Sequence, residues 1–258
     1  MTGPHIGLSM LYCLAEPFHK MIKRIPETKM TYIEIVDDGL HTLDKKKVST
    51  LKDLAQSYGL TYTIHAPFAG INVALQSKPL LNSTLKRMKE SIIHASALSC
   101  KMWIFHPGLK TGISMFYPGK DWTGNMESIR LLFKFAKDYG VEAAIENVTE
   151  PFVIKTAEDF KRFYKEIDED IGLVLDTGHA NINGELQDYL TEFADKIVHV
   201  HAHDNYGKTD QHLGIGFGNI DWRNAAKLLK RASYNRIVMI ESVEHIDESI
   251  QRLGQLLT

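Results

Sequence analysis

Two cysteines, Cys13 and Cys100, are too few for a disulfide framework or a zinc ribbon, and neither carries a motif. Their scarcity fits a reducing cytoplasm, the expected compartment. No apolar run reaches the length of a membrane span. The N-terminal stretch lacks a basic start and a small-residue cleavage signal, and Cys13, Glu16 and Pro17 interrupt it, so no membrane partner is expected. A dominant charge is missing too: 30 Lys and Arg against 32 Asp and Glu leave a formal charge of −2. That balance argues against a strongly electrostatic binder of nucleic acid or membrane. No Pro/Gly/Ser-rich linker, charge run or repeat marks a second domain, so residues 1–258 are expected to form one.

What is present is a chain of 258 residues, 44% hydrophobic and 24% charged, able to bury a large core, with twelve histidines, many of them just after short apolar runs. Short β-type runs alternate with longer helix-type stretches. Strands are expected at 6–10, 32–36, 61–65, 102–106, 142–146, 172–176, 197–201 and 236–241. Apolar residues at helical spacing mark 48–58, 84–98, 125–139, 157–167 and 222–232, with Gly59 and Gly140 placed as C-caps. Eight strand–helix units in a chain of this length predict an α/β fold, the (β/α)8 TIM barrel, with a doubly wound open sheet as the alternative. Two long loops, 109–123 and 202–218, follow strands four and seven on the face where such barrels keep their chemistry.

Six of the eight expected strands end in a residue able to bind metal or move a proton: His65, His106, Glu146, Asp176, His201 and Glu241. Strand alternation puts aliphatic neighbours such as Ile145, Leu175 and Ile240 on the helix side and these polar residues inward. One His or Glu beyond a strand is ordinarily a surface residue. Six at one topological position, without matching Lys or Arg, would repel one another or stay unsatisfied unless a cation sat among them. A mixed His/Asp/Glu set suits Zn2+, Mn2+ or Co2+ better than Ca2+. Asp176 and His179 are three apart just past a strand, and Asp210 and His212, two apart, can address one ion in an extended stretch. The Gly214-Ile215-Gly216-Phe217-Gly218 run has no strand immediately before it, so tight turning beside the pocket is expected rather than a nucleotide loop. His19, His41, His94 and His245 read as solvated or capping residues. His199 shares the parity of His201 deeper in the barrel, His203 is expected nearer solvent, and Glu34 is left outside the site.

On His65-Ala66-Pro67-Phe68 with Asn72, Phe105-His106-Pro107-Gly108, Ile145-Glu146-Asn147, Leu175-Asp176-Thr177-Gly178-His179, the stretch from His201 to Gly218, and Ile240-Glu241-Ser242, the chain resembles the xylose isomerase-like TIM-barrel superfamily. That superfamily includes sugar and sugar-phosphate isomerases and epimerases and the endonuclease IV type of AP endonuclease. The resemblance implies an epimerase-type metal site of Glu146, Asp176, His201 and Glu241, with His179 touching substrate. The endonuclease pattern implies a larger set: His65, His106, Glu146, Asp176, His179, His201, Asp210, His212 and Glu241, for up to three zinc ions. Asn205-Tyr206 replaces the endonuclease serine-lysine, and only Lys78, Lys110, Lys120 and Lys208 fall in the long loops, a poor track for DNA.

The expected activity is therefore isomerisation or epimerisation of a small sugar or sugar phosphate, with one to three divalent ions, Zn2+ or Mn2+. Glu146 and Glu241 would be the catalytic acid–base pair, passing a proton through an enediolate. His179, His65 and Lys208 are the expected substrate contacts. The alternative is a zinc phosphodiesterase of the endonuclease IV kind, in which His65, His106, Asp210 and His212 complete a multi-zinc cluster. Nucleic acid is not the expected partner, and oligomeric state is not readable from the residues.

Overall fold

A computed structural model describes residues 3–257. Its strands are β1 (His5–Ser9), β2 (Tyr32–Val36), β3 (Thr61–His65), β4 (Trp103–Phe105), β5 (Ala143–Glu146), β6 (Gly172–Asp176), β7 (Ile197–Ala202) and β8 (Ile237–Ile240). Each pairs in parallel with the next, and β8 pairs with β1, closing the barrel. The helices are α1 (Phe18–Glu27), α2 (Lys45–Tyr58), α3 (Lys78–Ala97), α4 (Lys120–Asp138), α5 (Ala157–Glu166), α6 (Thr177–Asn183), α7 (Leu186–Glu192), α8 (Trp222–Arg231) and α9 (Ile246–Leu257). This is a (β/α)8 barrel, and the open-sheet alternative is excluded by the closed strand order. None of these helices is long and apolar enough to cross a membrane.

Local signals explain the helix ends. Asp44 accepts from Lys47 N at 2.8 Å to start α2, and Gly59 ends it in the left-handed region at φ 64°. Thr156 and Asp159 form a reciprocal capping box at α5, and Asp221 caps α8 through Asn224 N. The 109–123 stretch is less irregular than its composition suggests. It carries a 3-10 turn, Gly112–Met115, and its last four residues open α4 after Gly119 takes a left-handed conformation at φ 80°.

Strand parity divides the interior in two. Ile33, Ile35, Trp103, Phe105, Ile145 and Leu175 point outward into the large core between sheet and helices, where Trp103 Nε1 donates to Ser91 Oγ at 3.0 Å. Met102, Ile104, Ala144, Val174 and the partly buried Val198 form a separate small cluster, on the inward parity of these strands. Val198 and His199 are consecutive yet both face inward, which a regular strand forbids. The register of β6 against β7 shifts between Leu173 and Val174, and a Cβ on Gly172 would lie only 2.3 Å from Val198 Cγ2. Above this apolar plug, each strand's next inward position belongs to the mouth.

Candidate metal centre

The mouth collects the strand-end residues on one side. His65, Glu146, Asp176, His201 and Glu241 are buried, and His106 is half-buried. Ligand-capable atoms of Glu146, Asp176, His201 and Glu241 all lie within 4.8 Å of one another, as do those of His65, His106 and Glu146. Glu146 Oε2 is shared: it is 3.4 Å from His65 Nε2, 3.3 Å from His106 Nε2 and 3.4 Å from His201 Nδ1. His201 Nδ1 is also 3.4 Å from Glu241 Oε2.

These separations decide the chemistry. Longer than the about 2.7–2.9 Å at which charge-assisted N–H···O bonds settle and poorly aligned for hydrogen bonding, they leave Glu146 Oε2, His106 Nε2 and His201 Nδ1 buried without a partner, whereas His201 Nε2 is aligned with Glu34 Oε2 at 3.3 Å. Atoms each about 2.0–2.2 Å from one tetrahedral ion lie roughly 3.3–3.6 Å apart. The donor set therefore fits a divalent cation. In three of the rings at the mouth the far nitrogen is occupied as in metal-binding imidazoles. His65 Nδ1 faces Ala66 O at 2.8 Å, His179 Nδ1 faces Asn147 O at 3.0 Å, and His212 Nδ1 faces Glu241 O at 2.9 Å, leaving each Nε2 for the site.

Several neighbours hold these ligands in place. Asn147 Oδ1 accepts from Asp176 N at 2.7 Å and its Nδ2 donates to Asp176 O at 3.0 Å, clamping β5 to β6 at the site. Asp176 also caps α6, its Oδ1 accepting from His179 N at 2.6 Å. In the 202–218 loop, Asp204 is buried and accepts from Asn205 N, Gly216 N, Ile220 N and Trp222 Nε1. A Cβ on Gly218 would lie 2.3 Å from both Asn205 O and Asp204 Oδ1, so the loop folds this tightly only with glycine there.

The third donor set differs from the expected one. His203, Asp210 and His212 come within 4.8 Å of one another. His203 is fully buried rather than near solvent: its Nε2 lies 3.0 Å from Asp176 Oδ2, its ring stacks on His212 at 3.9 Å, and a Cβ on Gly178 would touch it at 2.0 Å. His179 remains adjacent, with Nε2 3.3 Å from Asp210 Oδ2.

Glu34, left out on sequence grounds, is fully buried in the barrel, its Oε2 3.3 Å from His201 Nε2. Its inward parity on β2 was the available signal. Lys208 is exposed and is not among the residues lining the mouth pocket. His41 is buried as well, its Nε2 2.9 Å from Glu16 O, because the 3-10 turn Gly39–His41 turns it under the chain.

The buried charges of the mouth lean on one another. Burial, with the like charges of Glu34 and Glu146, pushes Glu241 up to about 8 against the pull of His201. Burial also opposes ionisation of Glu146, but His201 and His106 hold it well below the usual carboxylate range. Burial favours a neutral His65, yet Glu146 raises it to about 9. Burial likewise opposes charge on His201, which Glu241, Glu34 and Glu146 together lift well above its ordinary value. Burial and the adjacent His201 take His199 down to about 3.

The mouth opens into a cavity of about 280 Å³ lined by metal-competent groups and by Leu11, Val36, Phe68, Val148 and Phe152. A profile described as xylose isomerase-like TIM barrel matches residues 22–256. The chain belongs to this family. Among its relatives, Uncharacterized protein MJ1311 of Methanocaldococcus jannaschii is 31% identical over 242 residues, 92% of this chain and 83% of the relative. The D-psicose 3-epimerase of Ruminiclostridium cellulolyticum is 25% identical over 232 residues, 85% of this chain and 76% of that enzyme. A crystal structure of a D-tagatose 3-epimerase-like protein superposes with a TM-score of 0.88 at 27% identity, covering 98% of this chain and 100% of that one.

Proposed function

We propose that this family member is a divalent-metal-dependent sugar isomerase or epimerase, with Glu146 and Glu241 as its proton-transfer pair. One observation carries the reading: Glu146, Asp176, His201 and Glu241 converge at ligand spacing beneath a small cavity. Similarity to a D-psicose 3-epimerase and a D-tagatose 3-epimerase-like protein supports the same chemistry. Glu146, Asp176, His201 and Glu241 would hold the ion, which would polarise a substrate carbonyl and its neighbouring hydroxyl, acidifying the C–H bond between them.

The remaining steps belong to the chain's own groups. Glu146 ends β5 and Glu241 follows β8, so the two carboxylates approach from well-separated strands. A base on one face of a carbon and an acid on the other is what inversion requires. His179 and His65, which line the cavity, would bind substrate hydroxyls, while Leu11, Phe68 and Phe152 would exclude water around them. Among the described residues no Lys or Arg lines the cavity, which favours an unphosphorylated sugar over a sugar phosphate. Its volume lies near the lower end for small-molecule pockets, roughly 300 Å³.

A second reading, metal-assisted phosphodiester hydrolysis, is favoured by two of the further donor sets, His65/His106/Glu146 and His203/Asp210/His212, which stand with the first at the mouth, whereas Glu34/His199/His201 lies deeper in the barrel. Metal counting on the purified protein separates the two. One exchangeable ion with epimerase turnover supports the first reading; three tightly held zinc ions with phosphodiesterase activity support the second. For the first, Glu146→Gln and Glu241→Gln are each expected to lower kcat by roughly 10²–10⁴ while the circular dichroism spectrum is kept. Wild-type turnover in either variant removes that residue from the proton-transfer pair.

A further inference from the structure

A carboxylate deep in a barrel costs several kcal/mol unless its partners repay it. Glu34 nevertheless occupies an inward position on β2, fully buried, in a barrel whose inward positions on β4 to β6 are the apolar Ile104, Ala144 and Val174. Its contacts are few. Thr63, its register partner on β3, donates from Oγ1 to Glu34 Oε2 at 3.0 Å, and His201 Nε2 lies 3.3 Å from the same oxygen. His199 Nε2 is farther, at 3.7 Å, and makes no hydrogen bond. Of the two rings, His201 alone stands within hydrogen-bond reach of the carboxylate.

We propose that Glu34 is a positioning residue that holds His201 in the tautomer presenting Nδ1 to Glu146 and Glu241. A neutral imidazole carries one N–H, and the nitrogen with an acceptor keeps it. Glu34 is the acceptor at Nε2. On the other side, Nδ1 is buried, has no hydrogen-bond partner and lies 3.4 Å from Glu146 Oε2 and from Glu241 Oε2. Were the proton on Nδ1 instead, the ring would turn an N–H into the ligand set and leave Glu34 without its hydrogen bond. Thr63 keeps the carboxylate from swinging away, because its hydroxyl holds the same Oε2 that faces His201. The arrangement is the carboxylate–histidine support that orients metal ligands and raises their basicity, at a position where partner loss typically weakens metal affinity 10- to 100-fold.

The proposal rests on the metal-dependent reading above, and the test separates the two. Zn2+ affinity by competition titration, and the visible spectrum of the Co2+-loaded protein, are measured for wild type, Glu34→Leu, Glu34→Gln and Glu34→Asp, with folding followed by circular dichroism. Glu34→Leu is expected to bind about 10- to 100-fold more weakly with an altered Co2+ spectrum. Glu34→Gln, whose amide oxygen reaches as far and still accepts from Nε2–H, recovers most of the affinity and the wild-type spectrum. Glu34→Asp keeps the charge but falls a methylene short, and binds more weakly than Glu34→Gln. Wild-type affinity in Glu34→Leu overturns the proposal alone. So does Glu34→Asp outperforming Glu34→Gln, which keeps the test decisive if the leucine variant does not fold. A wild type that takes up no divalent ion overturns the metal reading and this proposal together.

Discussion

Ile104 and His106, Ala144 and Glu146, Val174 and Asp176 stand two residues apart on, or just past, the same three strands and share an inward parity, yet they do opposite work. The lower member of each pair belongs to a small apolar plug on one side of the barrel interior. The upper member belongs to the polar mouth, where His106 Nε2 and Glu146 Oε2 are left without a hydrogen-bond partner and Asp176 is held by His179 N and His203. The difference teaches how the fold divides its labour: packing below fixes the strand ends, and the strand ends hold charges that would otherwise separate. A buried carboxylate and imidazole cluster of this kind is tolerated because the plug, the Asn147 clamp and the Asp204-centred loop leave it no room to relax.

That division can be broken from either side. The larger effect is expected in the plug. Ile104→Ala removes a fully buried side chain and should cost about 2–5 kcal/mol of stability, read as a fall in Tm, while the protein that remains folded binds Zn2+ as tightly as wild type. A matching loss of metal affinity in the folded fraction would mean that the two layers are one unit.

The upper layer responds instead to pH. An ion entering among Glu146, Asp176, His201 and Glu241 must displace the proton on His201, whose value lies well above the ordinary one, and below about pH 8 the proton on Glu241 too. Metal affinity therefore falls as pH is lowered. Each displaced proton contributes roughly tenfold per pH unit, so the slope is about two decades per unit below pH 8 and one above it. Calorimetric titration in buffers of different ionisation enthalpy measures the proton count directly; an affinity flat from pH 6 to 9 would contradict the assignment of these residues as ligands.

The strand–helix alternation and the inward parity of strand ends were legible in the residues, because both follow from local periodicities of two and 3.6. Three of the eight strands carry the bounds expected of them, 32–36, 61–65 and 172–176. Where the chain leaves a strand, parity loses its meaning. His203 looked solvent-facing because it lies beyond β7, and its burial depends on Asp204 collecting donors from as far along the chain as Trp222. Glu34 was hidden for a different reason: Ile33 and Ile35 flank it as aliphatic residues flank the other inward groups, but its partner, His201, is 167 residues away, so nothing local shows what an acid so deep would pair with. Lys208 carried the right charge in the right loop, but the loop turns it outward.

The most direct measurement of the central claim is hydrogen exchange at the substrate. The Mn2+- or Zn2+-loaded protein is incubated in D2O with unphosphorylated ketohexoses, and the carbon beside the carbonyl is followed by NMR. Proton transfer by Glu146 and Glu241 predicts deuterium at that carbon together with formation of the epimer or isomer, and neither when the ion is removed by a chelator. Fully metal-loaded protein that leaves the carbon protonated and the sugars unchanged, while cleaving a phosphodiester, would contradict it.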